Sequence, residues 1–536
     1  MNIFVFAIDG ASPDLVDRWI NNGYLPNLKK LKTQGISGNL KSTFPPLTGP
    51  AWSSFQTGVN PGKHGVFNWL DLQDSYEGTV VNSTSIMTKT VWEFISVRGG
   101  EIGLLSLPLT YPPQKVNGFI VPGFLTPKKT DQRTYPKELA DKLEKSVPDF
   151  SSYIDEYMGG SEEAWVGYLK DIVRTRGKAG RYLIKNNLLR SKAGNGDSLF
   201  LVHFFSTDLV QHFLWDRADE NWDPRLDVFK AVDKEIGKMM EISPEKSSFM
   251  VVSDHGFGPV DKIFNVNNWL KKEGYLKLKN NPRARVKRAL SRLGINQHRL
   301  KPLGEKIYPA VKKMGLAPGN TISAASHPAL KAFFLSDRDV DWPETLAYSK
   351  SDIGHVRLNL TGREKEGCVE ADRVKSIKNE IKARLEKVSI PGTDKKLAKW
   401  VKRKEDIYYG PYTDKAPDLL FNPLSRKTLG FGAAMFLSEE VFVESFKPGN
   451  HRRNGIFFAS GPTVERGNRD ASIIDIAPTL LNLFSYPVPE QMDGKVIREV
   501  APEEPTYHKP KDFYRSRSID AQFGDPRKKL ENLGYL

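Results

Sequence analysis

Three apolar runs in this sequence end in an aspartate. "NIFVFAI" runs into Asp9, "LFLVHFFST" into Asp208 and "SFMVVS" into Asp254. His255 adjoins Asp254, His212 follows Asp208 by four residues in "DLVQH", and His451 lies in "GNHRRNG", just before "GIFFASG". On a helical turn a spacing of four puts Asp208 and His212 on one face. Clustered carboxylates repel one another and are costly to bury unless cations compensate. Imidazoles beside them point to transition metals rather than to magnesium alone. Asp9, Asp208, His212, Asp254, His255 and His451 therefore form a candidate ligand set large enough for two ions, with the Thr48 hydroxyl as a seventh member. Taken singly, "DG" reads as a turn and "DxxxH" as a surface helix pair. The conjunction at three strand ends carries the argument. His64, His203, His298, His327, His355 and His508 read as structural.

The elements that must position these groups alternate. "NIFVFAI" (2–8), "EIGLLSLP" (101–108), "LFLVHFF" (199–205), "SFMVVS" (248–253) and "GIFFASG" (455–461) are apolar on both faces, as strands covered by helices on both sides are. Residues 12–22 predict a helix with Ser12 as N-cap, Pro13 in the first turn and Gly23 as the stop. The fold class expected is α/β, a mostly parallel sheet with helices on both faces. In such sheets ligands bind at the carboxyl ends of the strands, where the three aspartates sit. Residues 328–425 read as an inserted α+β cap. "LKAFFL", "TLAYSK", "HVRLNL", "DIYY" and "DLLFNP" read as short strands, and 371–388 as a helix with Val374, Ile377, Ile381, Leu385 and Val388 on one face. The domain reading is a core of residues 1–275 and 426–536, a basic helical insertion at 276–327 and the cap at 328–425.

With 536 residues, 39% hydrophobic and 27% charged, the chain belongs among globular proteins rather than disordered ones. Cys368 is the single cysteine, so an intrachain disulfide framework is excluded. The N-terminal apolar run is too short for a signal peptide, and no stretch approaches the roughly 18 apolar residues of a membrane span. The expected location is cytoplasmic. Net charge is +15, and residues 277–313 hold twelve Lys or Arg against one acid, Glu305. That segment reads as a solvated helical face or as a peripheral contact with an anionic membrane. No nucleic-acid motif accompanies it, so no nucleic-acid partner is expected.

The motifs "FAIDGAS" (6–12), "TFPPLTGPAWSSFQTGVNPGKHG" (43–65), "STDLVQH" (206–212), "SDHGFGPV" (253–260), "GNHRRNG" (449–455) and "IIDIAPTLLNLFSYPVPEQMDGKVI" (473–497) together resemble the alkaline phosphatase superfamily, in its type I phosphodiesterase/nucleotide pyrophosphatase branch. The resemblance implies a dimetal phosphohydrolase (phosphodiesterase or phosphatase) holding two divalent ions, zinc first and manganese second. It implies that Asp9, Thr48, Asp254 and His255 hold one ion and that Asp208, His212 and His451 hold the other. It makes Thr48 the nucleophile, at a helix start, passing through a phospho-threonine intermediate. One position departs from the pattern: Ala51 stands where nucleotide pyrophosphatases carry a phosphate-binding asparagine. A replacement donor is expected among Asn68, Lys63, Arg357, Asn359 and Arg363, since Arg in particular donates two bonds to a phosphate. The substrate expected is a phosphate ester, lipid-linked or nucleotide-like. The alternative is a phosphomutase of the phosphoglycerate-mutase type, against which threonine in place of serine argues. A sulfatase is disfavoured because "TGPAW" lacks both the convertible residue and the arginine that enzyme needs.

Overall fold

The computed structural model describes residues 1–72, 76–127, 130–151, 161–188, 196–293, 335–350, 354–424, 429–432, 439–445, 447–515 and 530. Its centre is a sheet built on β1 (Asn2–Ile8), β2 (Ile36–Lys41), β3 (Glu101–Leu105), β4 (Gly118–Val121), β5 (Ser198–Phe204) and β6 (Ser248–Val252). β7 (Gly256–Pro259) and β8 (Gly449–Arg452) form a separate pair, and β9 (Asn454–Ser460) rejoins the sheet. Across the sheet the order is β2-β9-β6-β1-β5-β3-β4, with Gly467–Asn468 beyond β2. β6, β1, β5, β3 and β4 are all parallel; β9 is antiparallel to both of its neighbours.

The period of two in β1 explains why the strand is apolar throughout. Phe4, Phe6 and Ile8 enter one hydrophobic cluster, with Phe229, Val232 and Ile236 of helix Pro224–Glu241. Ile3, Val5 and Ala7 enter the other, with Ala51, Trp52 and Phe55 of helix Thr48–Thr57. Each of the larger aliphatic and phenyl side chains contributes about 1.5–3 kcal/mol by leaving water, so β1 is held from both sides and its C-terminal end is fixed in space. That end carries Asp9.

The segment read as a cap contains an antiparallel sheet ordered Ala347–Tyr348, His355–Leu358, Leu419–Pro423, Ala398–Arg403. Helix Val374–Lys387 buries Ile377, Ile381 and Leu385 against it; Val374 and Val388 are only partly buried. The cap's apolar cluster also takes in Phe264, Trp269 and Tyr275, which precede residue 276. "DIYY" is not a strand: Lys404–Asp406 is a 3-10 turn and Tyr408 packs inward on Phe67. "LKAFFL" falls almost wholly outside the described residues, as does the basic segment beyond Leu293. Helix Pro13–Asn21 forms as expected, but Ser12 does not cap it. The Ser12 hydroxyl donates to Phe257 O (2.9 Å) and accepts from Phe257 N (3.2 Å), tying the first helix to β7. Among the described residues no helix is long and apolar enough to cross a membrane.

Candidate active site

Asp9 leaves the end of β1 through Gly10, whose φ of +70° is a left-handed conformation open to glycine. A Cβ there would lie 2.9 Å from the Phe257 ring. This turn lets Gly10 N donate to Asp254 Oδ1 (3.2 Å) and Ala11 N donate to Ser253 Oγ (2.8 Å). Helix Ser206–Leu214 is docked on the same turn: Thr207 Oγ1 donates to Asp9 O (2.6 Å) and Gln211 Nε2 to Gly10 O (2.8 Å). Asp208 and His212 both lie on that helix, buried, 3.6 Å apart. β7 and β8 bring the remaining histidines, with His451 paired opposite Phe257 and the His255 and His451 rings stacked at 3.7 Å.

The six residues meet. His255 Nε2 lies 3.4 Å from Asp9 Oδ1, 3.2 Å from Asp254 Oδ2 and 3.9 Å from Asp208 Oδ1. His451 Nε2 lies 3.2 Å from Asp208 Oδ1 and 3.0 Å from His212 Nε2. Two groups have ligand atoms close enough to share an ion: Asp9, Asp254 and His255, and Asp208, His255 and His451. Thr48 Oγ1 lies 3.3 Å from His255 Nε2, at the first residue of helix Thr48–Thr57. The preceding strand, β2, ends at Lys41, and Gly58 stops the helix at φ +70°.

The donor set suits metal ions. His212 Nδ1 donates to Gly449 O (3.0 Å), His255 Nδ1 to Gly256 O (3.1 Å) and His451 Nδ1 to Pro46 O (2.9 Å). With Nδ1 donating to a carbonyl, each ring turns its Nε2 inward, the atom a metal would take. Three imidazole nitrogens and three carboxylates then face one another, an arrangement suited to a cation between them. Asp9 Oδ1 and Asp254 Oδ2 are buried and accept no hydrogen bond, while the other oxygen of each is bonded. Burial, reinforced by the neighbouring carboxylates, pushes Asp9 and Asp254 well above the usual carboxylate range. Burial keeps His212 and His255 neutral, their pKa values well below the ordinary imidazole value.

Two further groups shape the site and were not singled out by sequence. His203 donates from Nε2 to Asp9 Oδ2 (2.9 Å), and Trp52 Nε1 donates to the same oxygen (3.2 Å). Of the replacement phosphate donors, Lys63 is paired with Asp493 (2.5 Å). Asn359 Nδ2 is spent on the carbonyls of Trp342, Thr345 and Glu366, and Arg363 on Asp418 (2.7 Å) and Glu364 (2.8 Å). All three are engaged with protein partners, and Arg357 too has a carboxylate neighbour, Glu364, at 3.3 Å. Asn68 and Arg357 line one cleft, with His355 and Lys415. Asn68 Nδ2 donates to Lys350 O (3.2 Å), and Arg357 bonds Lys415 O (2.7 Å) while its Nε has no partner. His64 is structural, its Nε2 2.9 Å from Ser54 Oγ; His298 and His327 lie outside the described residues.

Residues 3–423 match the family model described as type I phosphodiesterase / nucleotide pyrophosphatase. The chain belongs to this family. As a member of the type I phosphodiesterase family it is a metal-dependent phosphoric ester hydrolase. A search of curated proteins finds no match. Among solved structures it is similar in fold to phosphonoacetate hydrolase from Sinorhizobium meliloti 1021 bound to phosphonoacetate. That match has 14% identity, covers 89% of this chain and 94% of that one, and has a TM-score of 0.50. It is similar also to a four-site mutant of the alkaline phosphatase PafA, at 13% identity, 93% and 98% coverage and TM-score 0.50. At these identities the likeness concerns the alkaline-phosphatase-like fold, not the substrate of this phosphodiesterase-family chain.

Proposed function

We propose that this chain hydrolyses phosphate esters at a two-ion centre, with Thr48 as nucleophile. Asp9, Thr48, Asp254 and His255 would hold one ion and Asp208, His212 and His451 the other. The observation that carries the reading is the orientation of the donors: three imidazoles anchored through Nδ1 and the Asp9 and Asp254 carboxylates anchored through one oxygen, each presenting its other atom to a common centre. Bound divalent ions, zinc by preference and manganese next, would supply Lewis-acid charge to acidify the attacking hydroxyl and to offset charge on the attacking and leaving oxygens. Thr48 Oγ1 attacks phosphorus, forming the Oγ–P bond as the bond to the leaving alcohol breaks. Water then cleaves that bond and restores the threonine. Thr48 and Gly49 open the helix, so their N–H groups lack intrahelical partners and can hold phosphoryl oxygens; Pro50 has none to offer. Asn68 and Arg357, which share a cleft, are the remaining candidates for further contacts to the substrate.

The basic segment 277–313 favours a lipid-linked ester. The single cysteine fits a reducing cytoplasmic setting. The test is a screen of monoester, diester and pyrophosphate substrates with metal-stripped protein, then with zinc or manganese restored. Turnover is expected only with metal; equal turnover in the stripped protein sinks the two-ion reading.

Trp52 and His203 act through Asp9. Together they fix one oxygen of that carboxylate and leave the other facing the centre. Trp52→Phe keeps most of the apolar bulk in the helix-to-sheet contact and removes only the N–H. It is expected to weaken metal affinity by about 10–100-fold, read by competition with a chelator. An unchanged affinity would show that the indole bond does not orient Asp9.

A further inference from the structure

Helix Pro282–Arg292 is packed with its polarity reversed. Its buried residues are Ala284, Lys287 and Ser291. Lys287 is paired with Asp339 at 2.7 Å, both ends buried. The Asn281 side chain caps the helix by accepting from Ala284 N (2.9 Å), and Lys279 N donates to Asp339 O (2.9 Å). At about 100° per residue, the opposite face presents Val286, Ala289, Leu290 and, just past the helix end, Leu293. Val286 is 58% and Leu293 77% exposed; Ala289 is exposed and Leu290 half-buried. Arg283 lies along one flank of this stripe, and Arg285 and Arg292 along the other, all exposed. A helix stabilised only by its own fold would turn these faces the other way.

We propose that this face is a docking surface for an anionic lipid bilayer, with the apolar stripe entering the headgroup layer and the flanking arginines meeting lipid phosphates. Charge complementarity decides the occupant. An apolar stripe alone would suit a second copy of the chain, but a copy would bring the same arginines against these, and like charges brought together repel. An anionic surface accepts both features at once. The helix is only about 16 Å long, so the contact is peripheral and reversible. It is independent of which ester the active site turns over.

The full chain should be sedimented at low salt with phosphatidylcholine vesicles and with vesicles made about one-third phosphatidylglycerol. Binding is expected to the anionic vesicles only and is expected to fade as salt rises. Val286→Asp with Leu293→Asp is expected to lower the partition at least about tenfold, and Arg285→Glu with Arg292→Glu to lower it similarly, with thermal melts followed by circular dichroism unchanged. Three results would each overturn the proposal. They are absence of wild-type binding to anionic vesicles, binding that the Asp pair leaves undiminished, and a solution dimer that the Asp pair dissolves. The salt and lipid dependence of the wild-type chain stands as a test even if a variant fails to fold.

Discussion

Thr48→Ala is expected to lower kcat for ester hydrolysis by at least about 10³-fold while metal content and fold stay close to wild type. Thr48 is fully buried at the mouth of its helix, and its hydroxyl contacts His255 Nε2 at 3.3 Å, so the change removes one oxygen and one methyl and disturbs no ion pair. Five of the six proposed imidazole and carboxylate ligands keep their anchoring bonds to the backbone or to His203, Trp52 and Gly10, and Asp208 keeps its place on a helix docked to Asp9. Metal retention with lost turnover therefore separates a nucleophile from a mere ligand. Thr48→Ser is the paired variant. It retains an attacking hydroxyl and is expected to keep activity within about tenfold of wild type, because only a methyl group is lost. Wild-type turnover in the alanine variant would refute the assignment outright, and trapped phosphate on Thr48, seen by mass spectrometry of acid-quenched protein, would support it directly.

How much of this was legible beforehand depended on how local each signal was. Asp9, Asp208 and Asp254 follow apolar runs by one to three residues, and a charged residue just past a buried strand is a local event. His203 is different. It sits inside "LFLVHFF" and reads as one more residue of a buried strand. Its role comes from the parallel register Ala7↔His203, which sets it beside the end of β1 within reach of Asp9. A polar residue amid an otherwise apolar central strand was the available signal. Trp52 was visible as a helix residue, but that its N–H turns toward Asp9 is set by packing between layers. The expected phosphate donors that carry ion pairs share one feature. Arg363 finds Asp418, 55 residues later, and Lys63 finds Asp493, 430 residues later. A cation beside a suspected phosphate site looks available until the fold supplies its carboxylate. Ser12 repeats the lesson at short range: its hydroxyl is a ready helix cap, yet β7 passes close enough to take both its donor and its acceptor.

His255→Ala is expected to have the broadest effect of any single ligand change, because His255 Nε2 belongs to both close-packed groups. It contacts Asp9, Asp254 and Asp208 carboxylates within 3.9 Å, as well as Thr48. Without it, three buried carboxylates lose a shared neighbour, and its stacking contact with His451 disappears. The variant is expected to bind less than half the metal of the wild type by elemental analysis and to lose at least about 10³-fold in kcat/KM. The pH dependence sharpens the test. Burial raises Asp9 and Asp254, so the metal-free site holds protons there at pH values where exposed carboxylates are already ionised. The imidazoles of His212 and His255 are lowered, so they offer lone pairs without losing a proton first. Metal must displace the carboxylate protons, and apparent affinity is therefore expected to rise with pH, by up to about tenfold per unit for each proton released. Chelator competition at successive pH values measures that slope in the wild type. An affinity that falls as pH rises through the neutral range would contradict the protonated-carboxylate ground state, and a metal content unchanged by His255→Ala would remove His255 from the centre.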